Sequence, residues 1–151
     1  ASTKKGSASG KSGGKSRVAS NRHERTRADH ATELAEDYVE AVAEIIAASG
    51  VCRIKDLAAR FRVSHVTASR TVARLQRDGL AQTSPHAPIE LTETGRILAR
   101  ESKRKHEIVY KFLLAIGVGK STAETDTEGI EHHVSNETLC RMEDFLKERS
   151  A

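Results

Sequence analysis

The chain has 151 residues, 37% of them hydrophobic and 3% aromatic, which leaves room for one domain or two small ones and excludes a large enzyme core. With so little aromatic bulk, burial per chain is modest, and a second copy is expected to complete the core as a homodimer. The net charge of +4 is uneven: residues 1–30 carry eight Lys or Arg against Glu24 and Asp29, a net of +6, leaving −2 for the remainder, so basicity alone does not establish a nucleic-acid partner.

Residues 1–28 are Lys, Ser, Gly and Arg with few large apolar side chains. They are expected to form a disordered basic tail, because they bury too little to offset the entropy of ordering. From about Asp29 the pattern turns helical: Leu34, Tyr38, Val42 and Ile45 or Ile46 fall at near-helical spacing and Gly50 stops the run, predicting a first helix over residues 31–49. Ile54, Leu57, Ala58 and Phe61 recur at i, i+3, i+4 and i+7 and predict a short second helix. Ser64 suits the N-cap of a third, whose buried side is Ala68, Val72 and Leu75 and which ends at Gly79.

The result is a helix-turn-helix. Leu80–Ser84 and Ile89–Leu91 flank Pro85, His86, Ala87 and Pro88, the pattern of a small β-hairpin wing. A long helix follows from Glu93 to Ile116, closed by Gly117 and Gly119. Ser121 with Glu124 reads as a capping box for a fifth helix reaching about His133, and Ser135 as the cap of a last one carrying Leu139, Met142, Phe145 and Leu146. The expected fold is mainly α: a winged helix-turn-helix with a small β-hairpin over residues 29–92, then an all-helical metal-binding and dimerisation domain over 93–151, with the first helix bridging both. Cys52 and Cys140 have no CxxC partner, and no run approaches the roughly 18 apolar residues of a membrane span. A cytoplasmic protein without a membrane partner is expected.

A helix-turn-helix puts its second helix in the major groove. With Ala68, Val72 and Leu75 inward, the outward set is Ser64, His65, Val66, Thr67, Ser69, Arg70 and Arg74. Arg70 has the reach for guanine O6 and N7, Val66 and the Thr67 methyl for thymine methyls, and Ser64, Thr67 and Arg74 for phosphates. A winged helix also serves protein contacts. Small hydrogen-bonding residues beside an Arg favour double-stranded DNA, since a passive face is more often Glu and Lys.

Asp37 and Glu40 lie three apart on the first helix, which alone describes an ordinary solvated face. In DTEGIEHH, Glu128, Glu131 and His132 occupy i, i+3 and i+4, two carboxylates and an imidazole over one quadrant. Like charges at that spacing disfavour a helix unless a cation neutralises them. If the long helix packs against the first and fifth, its His106 meets both groups, making four carboxylates and two imidazoles. That set suits two divalent ions per subunit, with Glu40, Glu128 or Glu131 bridging. Without sulfur it favours Mn²⁺ or Fe²⁺, although Zn²⁺ or Cu²⁺ can bind more tightly. A binuclear metallohydrolase would use similar ligands, but no further acid, base or substrate-gripping group appears, so neither catalysis nor a small-molecule substrate is expected.

The stretches EDYVE, RVSHVTASRTVARLQRDGL, LTETGRILA, KHEIVYKFLLAIGV and DTEGIEHHVS, spread over residues 30–149, resemble the diphtheria-toxin-repressor family of metal-dependent transcriptional regulators. The resemblance implies metal ligands at Asp37, Glu40, His106, Glu128, Glu131 and His132, with His133 structural. Iron-sensing relatives carry Met where this chain has Asp37 and Cys where it has Glu128, so the departure is toward the manganese-sensing type. A Pro-rich linker and an SH3-like third domain are not expected after residue 149, which resembles the family's short form. The resemblance implies a manganese-dependent repressor of metal-uptake genes whose ions order the dimer for operator binding. An iron-responsive or other divalent-metal-responsive repressor, or a constitutive DNA-binding protein with a structural metal, is the alternative.

Overall fold

The structure, a computed structural model, describes residues 14–150, with side chains from Glu24 onward. The described residues divide into two units, with the boundary between Thr32 and Glu33. The first helix, α1, spans Gly14–Ser49 and so begins well before Asp29. Residues 14–28 are thus helical rather than part of a disordered tail, and residues 1–13 of that expected tail lie outside the described residues. After Gly14 the segment to Ala28 contains neither Pro nor Gly and carries four Arg, with Lys15, Ala19, Glu24 and Ala28 as further helix-tolerant residues. Such a sequence lets a helix nucleated further along propagate upstream at little cost. At its other end Gly50 takes φ +85° and its N–H donates to the Ile46 carbonyl at 2.8 Å.

Helices α2 (Ile54–Phe61) and α3 (His65–Arg77) form the helix-turn-helix. Asp56 accepts from the Arg53 N–H at 2.8 Å to start α2, and Arg62 ends it in the left-handed region at φ 52°. Ser64 Oγ accepts from the Thr67 N–H at 3.1 Å, the N-cap expected from the sequence. Leu80 N then donates to Leu75 O at 2.8 Å past Gly79, at φ +72°, a glycine-dependent close to α3.

The hairpin is shorter than expected: β1 (Ala81–Gln82) and β2 (Glu90–Leu91) pair antiparallel, Ala81 opposite Leu91 and Gln82 opposite Glu90. Residues 83–89 stay out of the ladder for local reasons. Pro88 has no N–H to give, Ile89 N donates to Cys52 O at 2.7 Å, and Thr83 O accepts from Gln76 Nε2 at 3.3 Å.

Helix α4 (Glu93–Ala115) is capped by Thr92, whose Oγ1 accepts from Gly95 N at 3.1 Å and donates to Gly79 O at 2.6 Å. Gly95 has to be a glycine, because a Cβ there would sit 1.9 Å from the Leu80 carbonyl oxygen. Helix α5 (Lys120–Ile130) starts from Gly119, not from Ser121. Gly117 at φ +97° turns Val118 N onto Leu113 O at 3.0 Å, so the helix is under way before Ser121, whose carbonyl accepts from Thr125 Oγ1. The helix also ends at Ile130, short of His133, and residues 131–133 form a turn. Ser135 caps α6 (Asn136–Ser150), accepting from Thr138 N at 3.2 Å.

Two apolar cores result. In the first, Tyr38, Val39 and Val42 of α1 pack with Leu57, Ala68, Val72, Leu75, Ile89, Leu91 and Ala99. Tyr38 stacks on Phe61 with centroids 4.2 Å apart and planes 3° from parallel. Cys52 is fully buried there and burial, with Asp56 adding, pushes its thiol up to about 11, which makes it a packing residue rather than a nucleophile. In the second, Ile108, Val109 and Leu113 of α4 meet Ala123 and Leu139 of α5 and α6. Among the described residues no helix is long and apolar enough to cross a membrane.

Candidate metal centre and nucleic-acid interface

On α3 the alternation of buried and exposed positions is that of a helix docked by one side. Ala68, Thr71, Val72 and Leu75 are buried, while Ser64, His65, Val66, Thr67, Ser69, Arg70 and Arg74 are exposed. Val66 keeps 57% of its surface in solvent, a large apolar side chain with no intrachain use. Ser64 and Thr67, assigned to phosphates from the sequence, share a hydrogen bond of 2.9 Å and in this state satisfy each other. Arg70, Arg74 and Arg77 line one shallow groove on this helix. A second hollow of about 570 Å³ lies between α2, α3 and the wing, with His65, Ser69 and His86 among its walls. The wing is tied down by Arg53, whose Nη1 donates to His86 O at 2.9 Å, and by Gln76. Both were missed in the sequence, since nothing local marks a side chain that reaches a carbonyl 33 residues away.

Of the six candidate metal ligands, Asp37, Glu131 and His132 come together as a possible ion site, and Glu40, His106 and Glu128 line the adjoining cleft. Asp37 and Glu40 come from α1, His106 from α4, Glu128 from α5, and Glu131 and His132 from the turn after α5. Glu131 is central and only 4% exposed. One of its oxygens lies 2.6 Å from His106 Nδ1 and the other 3.5 Å from His132 Nε2. His132 Nε2 is also 3.3 Å from Asp37 Oδ1, and His106 Nδ1 is 3.9 Å from Glu128 Oε1. Asp37, Glu131 and His132 each offer one donor atom within 4.8 Å of the others. Glu40 faces the same cleft, of about 630 Å³, with Asp37, His106, Glu128 and Glu131, and accepts from Ser102 Oγ at 2.8 Å. His133 turns away and pairs with Glu33 Oε1 at 3.0 Å, its side chain 63% exposed.

The electrostatics are those of a centre short of positive charge. Burial raises the Asp37 carboxyl above its usual range; His132 opposes this, and Glu128, Glu40 and Glu36 push it further up. Burial likewise raises Glu131, against the pull of His106. His132 loses basicity to burial, but its bond to Glu36 and the charges of Asp37, Glu131 and Glu36 carry it above the ordinary imidazole value. Burial first, and the neighbouring carboxylates second, disfavour the ionised acids here, and a positive charge at the cluster would offset both. A divalent cation meets that need, and the donors are oxygen and imidazole nitrogen, hard to borderline, with no sulfur among them. The residues therefore fit such an ion, held by Asp37, Glu131 and His132 with His106, Glu128 and Glu40 within the same cleft.

Sequence reasoning missed Glu36, Lys105 and Ser102, which ring the cluster from behind. Glu36 is 6% exposed and bonds to His132 Nδ1 at 2.8 Å and Lys105 Nζ at 3.2 Å. Its partners are 96 and 69 residues away, so no local pattern reveals it.

Comparison with known proteins agrees with this two-part construction. Residues 30–87 match the iron dependent repressor, N-terminal DNA binding domain, and residues 92–150 the iron dependent repressor, metal binding and dimerisation domain. The chain belongs to the iron-dependent repressor family. The transcriptional regulator MntR of Escherichia coli O6:H1 is 42% identical over 125 residues, 83% of this chain and 81% of that protein. MntR of Salmonella typhimurium is 44% identical over 113 residues, 75% of this chain and 72% of that one. Among solved structures, that of the manganese regulator SloR superposes with a TM-score of 0.66 at 28% identity, over 75% of this chain and 53% of SloR. The chain thus spans about half the length of that structure.

Proposed function

We propose that this member of the family is a manganese-dependent transcriptional repressor, a cytoplasmic homodimer that binds palindromic operator DNA of metal-uptake genes when its centre is loaded. The observation that carries the reading is the convergence of Asp37 and Glu40, from the helix that packs under the helix-turn-helix, with His106, Glu128, Glu131 and His132 from the helical half. The similarity to the manganese regulator SloR supports the choice of metal, and so does a donor set of carboxylates and imidazoles without sulfur. Six donors are more than one ion uses with its waters, so two ions per subunit are proposed, with Glu40, Glu128 or Glu131 shared between them.

The cation neutralises the carboxylates and ties α1 to α4 and to the turn after α5. That fixes residues 29–92, proposed as the DNA-binding domain, against residues 93–151, proposed for metal binding and dimerisation. In a dimer it sets the separation of two α3 helices, which have to enter major grooves about one helical turn apart. Without it a smaller fraction of dimers is competent, and apparent affinity falls by that fraction. On α3, Arg70 reads base edges with Val66, Ser69 and His65 beside it, and Arg74 holds phosphate, as do Ser64 and Thr67 once their mutual bond opens.

The test is selection of duplexes from a randomised pool in the presence of Mn²⁺, then anisotropy of the selected duplex with Mn²⁺ and with a chelator. Tight binding only with Mn²⁺ is expected. Equal affinity in both conditions overturns the sensor reading, and repeating the titration with Fe²⁺ and Zn²⁺ ranks the metals.

A further inference from the structure

Glu36 sits next to the proposed ligand Asp37, and each of its oxygens already has a partner. Oε2 takes the bond from His132 Nδ1 at 2.8 Å and Oε1 that from Lys105 Nζ at 3.2 Å. The side chain is 8% exposed. An ionised carboxylate is an acceptor only, so when His132 is neutral this bond favours a proton on Nδ1 and leaves Nε2 free to act as a ligand. Nε2 is the atom that lies 3.3 Å from Asp37 Oδ1 and 3.5 Å from Glu131 Oε1. His106 is turned the other way, its Nδ1 toward Glu131 and Glu128. To ligate an ion through the atoms that face Glu131, the two neutral histidines would need opposite tautomers, Nδ1–H in His132 and Nε2–H in His106.

We propose that Glu36 is a positioning residue for the metal centre, fixing the ring and tautomer of His132 so that Nε2 is presented as a ligand, and that Lys105 keeps Glu36 from becoming a ligand itself. Lys105 neutralises what would be one more carboxylate in an anionic cluster and occupies the oxygen nearest to free. The pair also spans the centre's own scaffold, because Glu36 is on α1, Lys105 on α4 and His132 in the turn after α5. Carboxylate partners of this kind orient metal-bound histidines and raise their basicity as ligands. The proposal rests on the metal-dependent reading of the centre given above.

The test uses the full chain and two variants, Glu36→Gln, which keeps an acceptor oxygen for Nδ1–H, and Glu36→Leu, which does not. In metal-free protein in alkaline buffer, ¹⁵N shifts of the His132 ring report its tautomer. The expected result is Nδ1–H in the wild type and Glu36→Gln, and a shift toward Nε2–H in Glu36→Leu. Mn²⁺ affinity, read from the EPR signal of the free ion, is expected to fall about 10–100-fold in Glu36→Leu and to stay close to wild type in Glu36→Gln. A wild-type His132 with its proton on Nε2 overturns the proposal even if Glu36→Leu does not fold. Wild-type affinity in Glu36→Leu, or an equal loss in both variants, also overturns it. A wild type that binds no Mn²⁺ instead sinks the metal-dependent reading, and is told apart because it fails without any substitution.

Discussion

Replacing Glu131 by Gln separates the cost of the empty centre from the gain of the filled one. Glu131 is almost fully buried, and one of its oxygens meets His106 Nδ1 at 2.6 Å. Gln keeps the shape and an acceptor but not the charge. A charge-assisted bond becomes a neutral one, a loss of about 1 kcal/mol, while the burial that raises the Glu131 carboxyl no longer opposes folding. The metal-free variant should therefore lie within about 1 kcal/mol of wild type. With Mn²⁺ at about 100 times the wild-type dissociation constant, a single site adds about 2.7 kcal/mol, or about 5–11 °C in melting temperature for a chain of this size. If Gln weakens binding about 100-fold, the same Mn²⁺ adds only about 0.4 kcal/mol, or about 1–2 °C. Thermal melts of both proteins with Mn²⁺ and with chelator measure the four values. A variant that keeps the full Mn²⁺-induced shift refutes the placement of Glu131 at the heart of the centre.

Stability of the metal-free protein should fall as pH rises. Asp37, Glu131 and His132 are all raised in the folded state, so each holds its proton more tightly when folded, and the stability it contributes is lost as pH climbs through its folded value. The carboxyls act from the ordinary carboxylate range upward and His132 from above 6.5. Urea midpoints across that range should decline, less steeply in Glu131→Gln; an equal slope in both proteins would discard the Glu131 part of the account. Gly95→Ala drives a methyl to within 1.9 Å of Leu80 O and should cost about 1–3 kcal/mol by urea denaturation, whereas an unchanged midpoint would mean the joint between the wing and α4 yields freely. On the selected duplex, Arg70→Ala should weaken Mn²⁺-dependent binding by about 1–3 kcal/mol and relax the choice of one base pair, while Arg74→Ala should weaken all duplexes alike and lower the salt slope by about 1. The reverse pattern would exchange their roles.

Where the fold depends on neighbours in the chain, the sequence is a good guide. Ile54, Leu57 and Phe61, Ser64 as a cap, and Gly50 and Gly79 as stops each express a constraint within a few residues, and α2 and α3 lie where that pattern puts them. The beginning of α1 is harder, because residues 14–28 have helix propensity but no apolar stripe, and periodicity responds only to the stripe. Ser121 misleads for a related reason: it is a fair cap, but the turn at Gly117 brings the helix in before it. The proximity of Glu131 and His132 was legible because they keep their spacing even though α5 gives way to a turn after Ile130; Glu131 stays helical in its backbone, at φ −57° and ψ −36°. Glu36 was not legible, since its burial follows from two partners far along the chain.

The position of the centre explains why a small ion can have a large effect. Along α4, Ala99 belongs to the first core and Ile108, Val109 and Leu113 to the second, and between them come Ser102, Lys105 and His106, all directed at acidic groups from other elements. The two apolar cores are thus separated by a polar band rather than fused. A fused core would hold the two parts together whatever the band contained, leaving an ion little to decide. Here α1 carries Asp37 and Glu40 into the band and, one residue from Asp37, presents Tyr38 to Phe61 beneath the helix-turn-helix. A cation that attracts Asp37 toward Glu131 and His132 therefore acts on a helix already locked to the DNA-reading half. Under the proposed function, the ion's differential affinity for the closed arrangement sets the size of the switch.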